Sequence, residues 1–86
     1  MPKVIAMHEV DDVAHWLASP RRVEVLGEVA SDIVTFTDRR NPKRVGLSMT
    51  ISDMAELQAI LQSSAGAEAM KHDGFHPDTL VMLIES

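Results

Sequence analysis

The sequence predicts one α+β domain in which a β-α-β unit is followed by a second β-α-β unit. Four segments have the apolar, β-branched composition or the strict alternation of β-strands, and two segments between them carry apolar residues at helical spacing. A short charged turn joins the second strand directly to the third, which indicates a central hairpin. The length of 86 residues suits a single domain over 1–86.

The first half of the chain predicts a buried strand followed by a capped helix. Residues 3–10 are nearly all apolar, which is typical of a strand buried on both faces. The acidic pair at 11–12 offers an N-cap. Apolar residues then recur at helical spacing, at Val13, Trp16 and Leu17. The Ser-Pro pair at 19–20 either ends this helix or starts a second short one, and Gly27 is the expected C-cap.

The middle of the chain predicts a β-hairpin. Residues 32–37 have high β-propensity, and the charged segment 38–42 with its Asn-Pro pair is a turn. Residues 44–51 alternate strictly between apolar and polar or small side chains. The apolar side of this third strand consists of Val45, Leu47, Met49 and Ile51.

The second half predicts another helix and a last strand. Asp53 and Glu56 have the spacing of a capping box. The helical stripe that follows consists of Met54, Leu57, Ile60 and Leu61. Helical character resumes over 67–72 after a looser stretch, and Gly74 is the expected stop. Residues 75–77 are expected to form a loop and 79–85 the last strand.

This element order predicts a ferredoxin-like fold. Two right-handed crossovers place both helices on one face of a four-stranded antiparallel sheet. The two halves also echo each other, since residues 10–16 have the same pattern phase as 51–57. In this alignment of the two halves, His8 corresponds to Met49. Because Met49 lies on the apolar side of the third strand, His8 is expected on the equivalent side of the first strand.

The other face of the predicted sheet is apolar as well. The exposed side chains would be Ile5 and Met7, with either Thr79, Val81 and Leu83 or Leu80, Met82 and Ile84. A bare apolar patch of this kind usually marks an interface. We therefore expect a homodimer with sheet packed against sheet.

The composition argues against several classes of partner. A net charge of −5 repels phosphate backbones, and three aromatic residues are too few for base stacking, so no nucleic acid is expected. No apolar run approaches the roughly 20 residues that a membrane helix needs. The absence of cysteine and of a signal-peptide pattern favours a cytoplasmic protein.

His8 is the candidate catalytic residue. It lies near the end of the first strand on the side assigned to the helices, where a neutral imidazole can exchange a proton near pH 7. The alternative is a structural histidine that is hydrogen-bonded to a backbone carbonyl or to Asp12. A register error of one residue would instead turn His8 to the opposite face.

A ligand cleft is predicted around this histidine. Trp16 faces the same space and offers a surface for a flat ligand, the alternative being a plain core residue. The other predicted ligand contacts are Phe36, Met49 and Leu57 in the wall, and Phe75 and His76 at the mouth.

No metal and no cofactor are predicted. His72 and His76 have the four-residue spacing of a helical metal pair, but Gly74 and Pro77 interrupt the helix. No third ligand has suitable spacing in the sequence, and a zinc or iron site needs three or four ligands. The chain also has no glycine-rich phosphate loop and no cysteine nucleophile.

The segment 8–16 resembles the H-x-V-x-D-Y-D-x-W opening of small dimeric α/β-barrel proteins, the relatives of the antibiotic-biosynthesis monooxygenases and cyclase-like proteins. The matching residues are His8, Val10, Asp12 and Trp16. Val13 and Ala14 replace the Tyr and Asp of that pattern, so ligand contacts made by those two residues are not carried over. The second helix is similar too, with Ser64, Ala69-Met70 and Gly74 at positions typical of relatives.

The resemblance implies a ferredoxin-like dimeric α/β barrel with a cleft between helices and sheet in each subunit. It implies an enzyme of the cofactor-independent monooxygenase, isomerase or cyclase type that acts on a small, largely apolar cyclic substrate. His8 would transfer the proton. The alternative is a non-catalytic homodimer that binds a small molecule or has a structural role.

Overall fold

The computed structural model describes residues 2–86 and divides them into four strands and four helices. The strands are β1 (Lys3–Val10), β2 (Ala30–Thr37), β3 (Arg44–Ile51) and β4 (Phe75–Ile84). The helices are α1 (Val13–Ala18), α2 (Arg21–Leu26), α3 (Met54–Leu61) and α4 (Ser64–His72).

The strands form one antiparallel sheet in the order β2-β3-β1-β4. This order confirms the predicted ferredoxin-like α+β fold, in which the hairpin partner β3 lies beside β1 at the centre. β1 pairs with both β3 and β4, and His8 pairs with Val45. The central position of β1 makes its alternation decide which side chains meet the helices.

Each of the two predicted helices consists of two short helices. Ser19 is extended, with ψ 132°, because the following Pro20 disfavours helical geometry at the preceding residue. Between α3 and α4, Ser63 is extended and its hydroxyl accepts a hydrogen bond from the Gly66 N–H. Both breaks lie where the sequence indicated one.

The helix ends follow their predicted caps. The carboxylates of Asp12 and Asp53 accept hydrogen bonds from the third residue downstream, His15 and Glu56 respectively. Gly74 follows the last helix with a φ of +69°, a left-handed conformation that glycine adopts without steric cost. The capping residues therefore determine where the helices begin and end.

The start of β4 differs from the prediction. The strand begins at Phe75, which pairs with Val10, so the expected loop 75–77 belongs to the strand. The pairing with β1 changes register between Met7 and Glu9, and Pro77 falls in this irregular part. A proline lacks the N–H needed for regular pairing, and an edge strand with a bulge accommodates it.

The core lies between the helices and one face of the sheet. Its least exposed side chains are Val4, Val10, Trp16, Ile51 and Leu57. Matched positions of the two halves are buried together, Val10 with Ile51 and Trp16 with Leu57. The repeat predicted from the pattern phase therefore corresponds to equivalent packing in three dimensions.

The opposite side of the sheet, which we call the open face, carries Ile5, Met7, Val34, Phe36, Val81 and Leu83. The pairings Ile5–Leu83 and Met7–Val81 decide between the two alternatives for β4 in favour of Val81 and Leu83. Both are about half exposed, at 46% and 54%. The expectation that β1 is buried on both faces does not hold for the single chain, in which Ile5 is 43% exposed.

None of the helices within residues 2–86 has the length and hydropathy to cross a membrane. A cytoplasmic location and the absence of nucleic-acid binding stay predictions from the sequence.

Leu57→Ala should lower the free energy of unfolding by about 2–5 kcal/mol, because it leaves a cavity beneath α3 where the side chain is fully buried. Leu17→Ala is the matched control, since Leu17 is a helical leucine that is 44% exposed, and it should cost roughly 0.5 kcal/mol or less. Urea unfolding of both variants measures the difference. Equal losses would contradict the packing described here.

Candidate functional site

A cavity of about 340 Å³ lies between the helices and the covered face of the sheet. Its floor comes from the strands, through residues such as Ala6, Leu47 and Met82, and its walls from the helices, through Trp16, Leu26 and Met70. Most of the lining is apolar. The polar groups that reach the cavity are His8, Arg21, Arg22, Gln58 and Asp73.

An irregularity in β4 leaves room beside His8. The regular pairing of β1 with β4 passes from Met7–Val81 to Glu9–His76, so that residues 77–80 bulge past His8. The Thr79 hydroxyl accepts a hydrogen bond from the Glu9 N–H at 2.8 Å and donates one to the His76 carbonyl at 2.6 Å. Thr79 thus satisfies backbone groups that regular pairing would have satisfied, and the bulge borders the cavity through Pro77 and Leu80.

His8 is buried in this space with aromatic rings around it. Its ring lies 4.0 Å from that of Phe75, tilted by 37°, and 5.7 Å from that of Trp16 in an edge-on arrangement. The side chain is only 2% exposed. Because His8 lies on the helix side of β1, the alternative in which it faces the other side of the sheet is excluded.

The hydrogen bonding of His8 decides its tautomer. Nδ1 lies 3.3 Å from the carbonyl oxygen of Glu9, and a carbonyl can only accept, so Nδ1 carries the hydrogen. Nε2 then holds a lone pair, and the hydrogen bonding of His8 with residues 2–86 engages Nδ1 only. The carbonyl contact expected of a structural histidine is therefore present, but it engages one nitrogen and leaves the other for the cavity.

Burial lowers the pKa of His8 below its ordinary value of 6.5, because the charged imidazolium loses its hydration. The hydrogen bond to Glu9 acts in the opposite direction, and the positive charge of Arg22 lowers the pKa further. His8 is consequently a neutral imidazole at pH 7. It can accept a proton but holds it weakly.

Arg22 is fixed against Trp16. Its guanidinium carbon lies 4.2 Å from the centre of the indole ring, and Nη1 donates a hydrogen bond to the Trp16 carbonyl at 2.8 Å. Burial lowers the pKa of Arg22, and the negative charge of Asp73 opposes this. The guanidinium remains a cation at neutral pH and brings a positive charge to the apolar cavity.

Asp73 brings a negative charge to the same cavity. It is the C-cap of α4 and is 5% exposed. The His72 Nδ1 lies 2.9 Å from its carboxylate. Neither Arg22 nor Asp73 was among the candidates from the sequence. Arg22 follows a helix break, and Asp73 resembles an ordinary helix cap. The available sequence signal was a charged residue, Arg22, close to the tryptophan of the predicted core.

Four of the seven predicted site residues line the cavity, namely His8, Trp16, Met49 and Phe75. Leu57 is fully buried in the core behind it. Phe36 lies on the open face and is 52% exposed, because the alternation of β2 turns it away from the helices. His76 lies outside the cavity lining, and its Nε2 is hydrogen-bonded to the carboxylate of Asp11.

Comparison with known proteins identifies relatives by structure only. No protein-family model and no curated protein matches the sequence. A solved antibiotic biosynthesis monooxygenase matches with a TM-score of 0.65 at 15% identity, over 100% of this chain and 97% of the other. A Bordetella bronchiseptica protein provisionally named as such a monooxygenase matches with a TM-score of 0.71 at 15% identity, over 99% and 94%. A dimeric ferredoxin-like protein of unknown function from Jannaschia sp. CCS1 matches with a TM-score of 0.64 at 13% identity, over 99% and 97%.

The chain has the fold of the antibiotic biosynthesis monooxygenases. The resemblance inferred from segment 8–16 is confirmed at this level. Sequence identities of 13–15% establish the fold and leave the chemistry to be argued from the site itself.

The lowered pKa of His8 predicts that it contributes to the pH dependence of stability. The unfolded chain binds a proton at the ordinary pKa of 6.5, whereas the folded chain binds it only at lower pH. This contribution is complete above about pH 6.5 and is lost as the pH falls from there toward the folded pKa. His8→Met removes the group, so stability should fall less steeply between about pH 7 and 5 than in the wild type.

Urea unfolding at several pH values measures both slopes, and the other histidines are common to the two proteins. Identical slopes would contradict a buried neutral His8.

Proposed function

We propose that the cavity is the active site of a cofactor-independent monooxygenase, isomerase or cyclase that acts on a small, largely apolar cyclic substrate. The supporting observation is the imidazole of His8, which is buried, neutral and hydrogen-bonded through Nδ1 only, with Nε2 left to an apolar cavity. Such a nitrogen is positioned as a general base.

The proposed first step is the removal of a proton from a C–H or O–H group of the substrate by Nε2 of His8. The step converts the imidazole to imidazolium and the substrate to an enolate or phenolate. Because burial lowers the pKa of His8, the imidazolium readily returns the proton to another atom, as an isomerase or cyclase requires. In a monooxygenase the anion would instead react with molecular oxygen as the co-substrate.

The positive charge of Arg22 supports the same chemistry. The anion formed in this step needs stabilisation in a cavity with a mostly apolar lining, where a fixed charge acts strongly. Arg22 is held in place by the Trp16 ring and carbonyl and lines the cavity. We therefore propose that the substrate carries one oxygen that becomes negative and faces Arg22.

The cavity size limits the substrate. A volume of about 340 Å³ is near the lower end of the range for ligand pockets, roughly 300–1,000 Å³. A small ring system with one or two polar substituents fits that volume and the apolar lining. Phenols, hydroxynaphthalenes and cyclic ketones are the compound classes to test first.

Binding is tested by thermal unfolding in the presence of these compounds. A ligand that binds the folded chain raises its melting temperature by mass action. Ala69→Trp should abolish this rise, because residue 69 lines the cavity and an indole fills part of it. Ala67→Trp on the same helix is exposed and outside the cavity lining, so it should respond like the wild type.

Catalysis is tested by proton exchange on a compound that binds. In D2O, general-base catalysis exchanges an acidic C–H hydrogen, such as one beside the carbonyl group of a cyclic ketone, for deuterium, which NMR detects whatever the later reaction. An O–H hydrogen exchanges without a catalyst, so the test uses compounds with an acidic C–H group. His8→Asn keeps a donor near the Glu9 carbonyl and removes the base, so binding should persist while exchange falls by about 100-fold or more. Exchange that is equally fast in His8→Asn would refute the role of His8.

A binding protein without catalysis is the second candidate, favoured by the same apolar cavity. It predicts the melting-temperature rise and its loss in Ala69→Trp, with no exchange catalysed by the wild type. If no compound of these classes binds, both the enzyme and the binding protein are contradicted, and the structural homodimer remains as the alternative.

We also propose that the chain forms a homodimer through its open face. On this face Ile5 of β1 pairs with Leu83 of β4, and both side chains are about half exposed. Val34 and Phe36 of the edge strand β2 are also about half exposed. Opposed apolar sheets in two copies would bury these side chains together. The dimeric ferredoxin-like protein from Jannaschia sp. CCS1 gives a precedent within the fold.

Leu83→Arg should convert the dimer to a monomer, because it places an unpaired charge within the proposed apolar interface. Leu17→Arg is the control, since Leu17 is similarly exposed but lies on α1, away from the open face. Sedimentation equilibrium measures the mass of each variant. A monomeric wild type, or a dimeric Leu83→Arg variant, would refute the proposed interface.

A further inference from the structure

We propose that His15, His72 and Asp73 form a binding site for a divalent transition-metal ion of the zinc class. One ligand atom from each side chain lies within 4.8 Å of the other two. We call this group the α1–α4 cluster, because His15 belongs to α1 while His72 and Asp73 end α4. Asp73 also lines the cavity, but the assignment rests on the geometry of the three side chains and does not require the proposed function.

Existing contacts hold the three side chains together. The His15 Nε2 lies 2.8 Å from the carbonyl oxygen of His72, and the two imidazole rings are 5.0 Å apart. The His72 Nδ1 lies 2.9 Å from the carboxylate of Asp73. The three side chains thus lie close together before an ion arrives, which reduces the entropic cost of binding.

The donor set matches the chemistry of zinc. Imidazole nitrogens and carboxylate oxygens bind Zn²⁺ at about 2.0–2.2 Å, so two ligands of one tetrahedral ion lie roughly 3.3 Å apart. The present separation of 2.9 Å between His72 and Asp73 is slightly below that value. For this pair a small side-chain rotation suffices, and the ion replaces the hydrogen that now bridges it. The His15 ring must move closer, because the three ligand atoms lie within 4.8 Å of one another, and binding through Nε2 requires the release of the hydrogen that it donates to the His72 carbonyl. Water would complete the coordination.

The burial of Asp73 distinguishes this cluster from a chance surface group. Its side chain is 6% exposed, whereas the His72 side chain is 40% exposed and gives an ion access from solvent. A buried carboxylate is costly unless a positive group compensates it. The positive charge of Arg22 and the hydrogen bond from His72 provide partial compensation now, and a divalent cation would complete it.

The sequence predicted no metal site, and the histidine pair with metal-like spacing is a different one. His72 and His76 are four residues apart, but His76 lies in β4 and pairs with Asp11. His15 is 57 residues from His72 along the chain and reaches it only through the packing of α1 against the end of α4. His76 therefore serves as an internal control, being a partly exposed histidine outside the cluster.

Zinc chloride is the probe, added to the full chain after removal of metal with a chelator. Calorimetric titration should show one Zn²⁺ per chain with micromolar affinity, and the melting temperature should rise with zinc concentration. His15→Ala and His72→Gln should each weaken binding by about tenfold or more, and both positions are exposed enough for the fold to persist. His76→Ala should bind as tightly as the wild type.

Any of three results with the wild type and the histidine variants would overturn the assignment. They are no saturable zinc binding by the wild type, undiminished binding by His15→Ala, and a loss in His76→Ala as large as that in His15→Ala. Circular dichroism of each variant without metal verifies the fold, and Asp73→Asn, which keeps the shape of the buried side chain, gives a second test of the carboxylate. Undiminished binding by Asp73→Asn would likewise overturn it.

Discussion

The register of β1 between β3 and β4 is the constraint on which the other features depend. Alternation along this central strand sends Val4, Ala6, His8 and Val10 to the helices and Ile5 and Met7 to the open face. A slip of one residue would exchange the two sets and remove His8 from the cavity. The pairing is specified because only one of the two sets meets the helical layer, where burial of Val4 and Val10 is complete.

The two halves of the chain are alike in packing and differ in chemistry. Asp12 and Asp53 cap equivalent helices, and Trp16 and Leu57 fill equivalent core positions. At the matched strand position the first half has His8 and the second has Met49, and both line the cavity. The symmetric framework therefore supports an asymmetric site, in which the matched strand position carries an imidazole in the first half and an apolar methionine in the second.

Charge enters this apolar space only where the backbone is irregular. Arg22 follows the break at Pro20, Asp73 ends α4, and the bulge of β4 passes beside His8. Regular elements satisfy their own backbone groups and present uniform faces, whereas breaks and ends turn polar side chains toward the interior. The charged residues of the lining therefore lie at helix ends, whereas the neutral Gln58 lies within α3.

Local physics made the element order, the capping residues and the inward side of β3 predictable from sequence, because each depends on residues within about one helical turn or one strand. The placement of His8 beside Trp16 followed from alternation and helical phase together. The start of β4 at Phe75 was not predictable, since it depends on pairing with Val10 across the chain. The turning of Phe36 to the open face, the seat of Arg22 on Trp16 and the meeting of His15 with His72 were decided by tertiary structure alone. Each of these features depends on how two elements that are distant in sequence pack against the same sheet. The periodic pattern of apolar residues in the sequence does not contain that information.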